Sequence, residues 1–328
     1  MTSFVNASSH PQLGAVPRPI RSAQAPSAVV MIRPHTFSPN PQTAADNAFQ
    51  RTAEPHAGGT TAATAYAEVS AAAATLEAHG VTVHLFDDTG SHQTPDSVFP
   101  NNWFSTHAGG HVALYPMYSP NRRRERRVDV IEMLKANYRV QDVIDYSGLE
   151  YDGLFLEGTG AMVLDHVDRV AYTARSNRAN AVALERFATH FNFEPMVFDA
   201  TDAHGQAVYH TNVIMCVATE FAMVGFSMLQ NPARREEIRA RLAESGRAII
   251  ELSTDQIAEF AGNALELTGK DGRLLALSTR ALKSLLPAQI ATIEQSVTLL
   301  ALAVPTIELA GGSVRCMLAG IHLARRTG

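Results

Sequence analysis

Five short polar segments recur along the chain at a spacing of roughly 50 to 55 residues, and this repeat limits the available folds more than any other feature. They are Asn101-Asn102, Glu157-Gly158, His210-Thr211-Asn212, Gly262-Asn263 and Gly311-Gly312-Ser313, each read as the polar head of a first strand. Second apolar runs follow at Val112-Ala113-Leu114-Tyr115, Arg169-Val170-Ala171-Tyr172, Phe221-Ala222-Met223-Val224 and Leu274-Leu275-Ala276-Leu277, and a fifth is expected after Gly311-Gly312. Helical stretches at 125–137, 178–190, 232–243 and 280–294 come next, each leading to a short strand at 139–144, 193–198, 248–252 or 300–304. The pattern predicts an α/β fold in which one ββαβ unit is used five times. Closed into a propeller-like ring, it would bring Asn102, Glu157, His210, Asn263 and Cys316 around one axis. The alternative is a doubly wound α/β protein in which strands and helices merely alternate.

The 328 residues are 46 % hydrophobic, enough for a large core, and the net charge of −5 offers no general basic field for nucleic acid or an anionic membrane. A small-molecule substrate fits better. The basic run Arg122, Arg123, Arg124, Arg126 and Arg127 follows a Pro-Asn turn and reads as the solvated start of a helix. Cys216 and Cys316 are too few for a disulfide framework or a cysteine-based zinc site, which suits a reducing cytoplasm. Without a signal-like apolar run or a membrane-length segment, the chain is expected to be soluble and not exported. Residues 1–27, rich in Ala, Ser and Pro, read as a mobile extension, and 28–328 as one catalytic α/β domain. Nothing in the sequence marks an oligomeric state.

The polar heads together hold a cysteine, a histidine, a glutamate and several amides, which can serve as nucleophile, proton carrier and substrate clamp. A thiol becomes a useful nucleophile when a histidine or bound cation stabilises its thiolate, and Cys316 is placed for this by the repeat. Cys216, in the apolar run Val213-Ile214-Met215-Cys216-Val217, reads instead as a small buried hydrophobe. His107, His111 and His166 lie near loops and receive no role.

The segment Gly311-Gly312-Ser313-Val314-Arg315-Cys316-Met317 resembles the glycine-rich Arg-Cys-Met signature of arginine deiminases. Asp87-Asp88 through Pro95-Asp96-Ser97-Val98-Phe99-Pro100-Asn101-Asn102 is similar to dimethylarginine dimethylaminohydrolases, with two asparagines where they carry an acidic pair. Leu156-Glu157-Gly158-Thr159-Gly160 resembles a guanidinium-binding segment, Tyr209-His210-Thr211-Asn212 a catalytic His-x-Asp, and Gly262-Asn263-Ala264 fits the fourth unit. The chain from about 29 to 323 thus resembles the guanidine-modifying (pentein) superfamily, which implies a five-unit α/β propeller with a central active site and neither metal nor organic cofactor. The resemblance further implies that Cys316 attacks the central carbon of a guanidino or ureido group, that His210 carries protons, and that Glu157 grips the substrate nitrogens.

Amides at positions 102 and 212, where relatives acting on guanidinium offer carboxylates, point to a neutral ureido group such as that of citrulline, since a buried acid requires a cationic partner. Asn101 and Asn263 join them as candidate substrate contacts, and Arg33 and Arg315 are candidate anchors for the substrate's α-carboxylate. The expected reaction is hydrolysis of citrulline to ornithine, carbon dioxide and ammonia. Alternatives are arginine deiminase, arginine dihydrolase or dimethylargininase activity, an amidinotransferase using the same residues, or a non-catalytic binding module resembling the ribosome anti-association factors of this fold.

Overall fold

The computed structural model describes residues 24–51 and 60–326. The strands among them are β1 (Ala28–Pro34), β2 (Thr82–Asp88), β3 (Phe104–His107), β4 (His111–Leu114), β5 (Asp142–Asp145), β6 (Met162–Asp165), β7 (Val170–Ala174), β8 (Glu194–Phe198), β9 (Met215–Val217), β10 (Phe221–Val224), β11 (Ala248–Glu251), β12 (Leu265–Thr268), β13 (Arg273–Ser278), β14 (Thr298–Leu302) and β15 (Ala319–Gly320). They form five three-stranded sheets, and in each the middle strand pairs antiparallel on one side and parallel on the other. A hairpin makes the antiparallel pair in four of them, and a helical crossover is what the parallel pair requires.

The crossover helices begin and end for local reasons. Asn180 caps Ala181–Phe191 by accepting from the amides of Val182 and Ala183, and Asn231 caps Pro232–Ala243, whose proline occupies the first turn. The single helix expected over 280–294 is two, Thr279–Ser284 and Pro287–Ile293, because Pro287 cannot continue the first and instead opens the second. Between helices and sheets the core is apolar: Leu184, Phe187 and Phe191 pack over Met162, Leu164 and Ala171.

Two expectations need correction. Four of the five polar heads lie not at the first residues of strands but at tight helical turns that precede them, Pro100–Asn102, Gly158–Ala161, Thr211–Val213 and Val314–Met317, while Gly262-Asn263 lies in a non-helical turn. The fifth sheet is not built after Gly311-Gly312 alone. Only the two residues of β15 come from there, pairing Val29 with Gly320, while β1, β2 and the helix Thr61–Ala78 between them come from the beginning of the fold. The first and last strands of the described residues are thereby joined in one sheet. Gln24 and Ala25 are buried, and Gln24 donates to the carbonyls of Leu164 and Val217, so the packed chain starts earlier than the boundary expected at 28. The rest of the expected extension, 1–23, lies outside the described residues.

A buried ion pair fastens neighbouring sheets. Arg247, just before β11, donates to both oxygens of Asp165 at the end of β6 (2.6 and 2.9 Å), and to the Ala218 carbonyl (2.8 Å). Both side chains are essentially inaccessible. Arg247→Met should cost about 3–5 kcal/mol, because it leaves the Asp165 carboxylate buried beside an apolar group. Urea unfolding of the variant checks this, and a loss below about 1 kcal/mol would show that water or a rearranged partner reaches Asp165.

Candidate active site

Four of the polar heads bring their side chains together. The Glu157 carboxylate is fully buried; Oε2 lies 2.8 Å from His210 Nε2, and Oε1 accepts from the Tyr118 amide at 3.0 Å. Arg122 and Arg178, both about 2 % exposed, each place a guanidinium nitrogen 3.5 Å from the same Oε2. Burial pushes the Glu157 carboxyl up, but Arg178, the His210 hydrogen bond and Arg122 together overcome this and hold it below the usual carboxylate range. Burial lowers the His210 imidazole to about 4, against the opposing pull of Glu157, so it is neutral at physiological pH.

Cys316 sits in the one-turn helix Val314–Met317 with its sulfur facing two amides. Asn212 Nδ2 donates to Sγ at 3.2 Å and Asn263 Nδ2 at 3.3 Å. Asn263 also donates to the Asn212 carbonyl and accepts from the Arg315 amide, which fixes its orientation. Asn102 Oδ1 accepts from Arg122 at 3.0 Å. Asn102 Nδ2 and Asn212 Oδ1 are buried and have no hydrogen-bond partner among the described residues.

Gly160 makes this approach possible. A Cβ there would lie 2.2 Å from Asn102 Nδ2 and 2.8 Å from His210 Nδ1, so both polar atoms converge over a position only glycine can occupy. The neighbouring Gly158 has φ +45° and packs against the Asn101 and Asn102 carbonyls.

A small cavity of about 10 Å³ is lined by Asn102, His210, Cys316, Arg122, Arg178 and Asp96, with Asn47, Phe99, Tyr209, Ala310 and Gly312 completing its wall. Asp96 is buried; Oδ2 accepts from Asn40, while Oδ1 has no partner among the described residues. Over the cavity, Asp46 pairs with Arg178 and Asn47 donates to the Ala310 carbonyl.

The other sequence candidates lie elsewhere. Asn101 is buried beside Thr159, which donates to its carbonyl, and does not line the cavity. Arg33 is bound through two nitrogens to Asp87 (2.8 and 2.9 Å) and lies over the Tyr66 ring, on a partly exposed surface. Arg315 lines a separate cavity. Cys216 is buried in β9 opposite Met223, and burial pushes its thiol up to about 12.

The sequence reading missed Arg122, Arg178 and Asp96. Arg122 was assigned to a solvated helix start, yet its guanidinium is buried on Glu125, to which it donates twice at 2.9 Å. The signal was present: Arg122 and Arg178 both fall in the connection between a unit's second strand and its helix, so the repeat extends to a second set of positions.

A family model described as N,N dimethylarginine dimethylhydrolase, eukaryotic, matches residues 33–323. The chain belongs to this family. As a dimethylarginine dimethylhydrolase family member it falls in the guanidine-modifying pentein superfamily, whose relatives here are hydrolytic or deiminating enzymes acting on guanidino groups. Similar solved structures share its fold. The N-terminal domain of ArgZ, a cyanobacterial arginine dihydrolase in a cysteine-to-serine mutant with bound substrate, is 16 % identical over 90 % of this chain and 97 % of that one, with a TM-score of 0.68. Unliganded AgrE is 17 % identical over 92 % of this chain and 40 % of its own, with a TM-score of 0.69. DDAH from Pseudomonas aeruginosa, a cysteine-to-serine mutant complexed with citrulline, is 14 % identical over 92 % and 100 %, with a TM-score of 0.58. No curated protein matches this family member. Among the described residues no helix is long and apolar enough to cross a membrane, and no cluster of His, Cys, Asp and Glu is arranged to hold a metal.

The depressed His210 basicity has a consequence for stability. Below its ordinary pKa of 6.5 the unfolded chain takes up a proton at this imidazole, whereas the folded protein does so only near 4. The contribution is therefore complete above about pH 6.5 and lost as pH falls toward 4. His210→Gln should flatten the dependence of unfolding free energy on pH across that window, by up to one proton's slope. Urea titrations at several pH values measure it, and an unchanged slope would mean that His210 titrates normally in the fold.

Proposed function

We propose that this protein is a cysteine-dependent hydrolase that cleaves a linear ureido C–N bond, with citrulline converted to ornithine, carbon dioxide and ammonia. The observation that carries the choice of substrate is the pair of buried, unpartnered amide atoms. Asn102 Nδ2 can donate and Asn212 Oδ1 can accept. A ureido group presents a carbonyl and N–H groups together, and would satisfy both without introducing charge once the wall moves to expose Asn212, which does not line the cavity as it stands. Arginine is a second reading: Glu157 already sits beside two guanidinium groups, those of Arg122 and Arg178, and displacement of either would open it to a substrate's.

In this mechanism the neutral His210 takes the Cys316 thiol proton, and the sulfur attacks the central carbon to give a tetrahedral species. The imidazolium protonates the departing amine as the C–N bond breaks, leaving a thioester-like carbonyl on sulfur. His210 then removes a proton from water, which attacks this carbonyl and frees the thiol. The released carbamate decomposes to carbon dioxide and amine. Asn212 and Asn263, donating to Sγ, stabilise the thiolate.

The buried Arg122 and Arg178 are the proposed anchors for the substrate's α-carboxylate, and the open oxygen of Asp96 for its α-amine. An amino acid does not fit a cavity of about 10 Å³, roughly the space of one water, so entry requires the Asp46 and Asn47 segment to move and Arg178 to exchange Asp46 for substrate. We further propose that the five sheets close into a propeller around this cavity, which their common strand order and the union of the first and last described strands in one sheet support. Two unpaired buried cysteines suit a cytoplasmic setting.

Cys316→Ser should reduce ornithine and ammonia release from citrulline below detection, while Cys216→Ser keeps turnover; the reverse result would assign the chemistry to the other thiol. Asn102→Asp combined with Asn212→Asp should move the ratio of kcat/KM for arginine over citrulline toward arginine by about 1–3 kcal/mol. Steady-state kinetics on both substrates measure this. An unmoved ratio, or a wild-type preference for arginine, would remove the amides as selectors.

A further inference from the structure

A second cavity, of about 40 Å³, shares no lining residue with the one at Cys316. Its charged and titratable lining is Arg315, His166, His322 and the high-pKa thiol of Cys216, with Gln24, Ser105, Thr106 and Thr159 as neutral polar groups. Among the described residues no carboxylate lines it. His166 and His322 are stacked, with ring centroids 3.8 Å apart.

Arg315 is half-buried and lines this cavity. Its guanidinium donates to the Leu318 carbonyl at 3.1 Å, and among the described residues no carboxylate forms an ion pair with it. The acids closest in sequence to His166, Asp165 and Asp168, are committed to Arg247. Arg169 and Arg315 add positive field at His166, and His107, buried behind the cavity, is bonded to Ser105. The fully buried arginines among the described residues each have an acidic partner: Arg122 has Glu125, Arg178 has Asp46, and Arg247 has Asp165.

A half-buried guanidinium without a counter-charge attracts an anion, and this one has donors to spare beside a space large enough for a small ion. We propose that the Arg315, His166 and His322 cavity binds a small inorganic monoanion. The guanidinium supplies the charge and directed N–H donors, and the histidine pair forms the opposite wall. The ion completes the pairing that Arg315 lacks. It lies one residue from Cys316 along the chain, behind the amide that Arg315 donates to Asn263.

Bromide is the probe. Crystals of the full chain soaked in sodium bromide should show an anomalous peak within hydrogen-bonding reach of the Arg315 guanidinium. In solution, the melting temperature should rise saturably with sodium bromide relative to sodium gluconate at equal ionic strength. Arg315→Met should weaken that response by about tenfold or more, the size of one charged hydrogen-bonded contact, while the surface control Arg33→Met leaves it unchanged. His322→Ala, which keeps the cation but removes half of the opposing wall, should weaken it less, and provides the comparison should Arg315→Met fail to fold. Bromide bound elsewhere with none at Arg315, or a response identical in wild type and both cavity variants, would overturn the proposal. A crystal peak without any saturable response in solution would mark an adventitious ion only, and would equally overturn it.

Discussion

The whole candidate site depends on keeping one carboxylate ionised where water cannot reach it. Glu157 is buried completely, and an isolated carboxylate there would take up a proton. Arg122, Arg178 and the His210 hydrogen bond prevent this. The same arrangement settles its partners: two arginines are drawn into the interior, each needs a further acid, and Glu125 and Asp46 supply them. Between these cations a histidine that burial already disfavours as an ion stays neutral, the state a base requires.

Backbone geometry then sets the distances. Tight helical turns, rather than strand ends, carry four of the polar heads, so that neighbouring side chains leave in different directions. The Val314–Met317 turn shows the effect most clearly: Cys316 faces the amides of Asn212 and Asn263, while the preceding Arg315 lines a different cavity. Gly160 contributes by having no side chain, which leaves room for Asn102 and His210 to converge. Tyr209, whose hydroxyl donates to the Gly311 carbonyl, links the histidine's segment directly to the cysteine's glycine pair.

Much of this was legible because it is periodic. Four second strands, the helices after them and the later strands fell within a few residues of expectation, since hydrophobic alternation and helical spacing are local properties. Features that depend on distant partners were not legible. β15 is too short to register as a strand in sequence, and only its pairing with β1 defines it. Arg122 looked solvated because four other arginines surround it, and of the charges that justify its burial only Glu125 is close in sequence, while Glu157 and Asp96 are remote. Arg33 and Arg315 looked equivalent as possible anchors, yet one meets Asp87 at the surface and the other lines a separate cavity.

By itself the sequence determined the unit, its five-fold recurrence and the chemical identity of the heads, because residue type and period need no knowledge of what lies across the fold. Tertiary structure decided which of those heads touch. It joined Glu157 to His210 and Asn212 to Cys316, left Asn101 outside the cavity, and brought in Arg122, Arg178 and Asp96. The reason is electrostatic as well as geometric: whether a charged side chain can be buried depends on its counter-charges, and here several of these come from other repeats, tens of residues away.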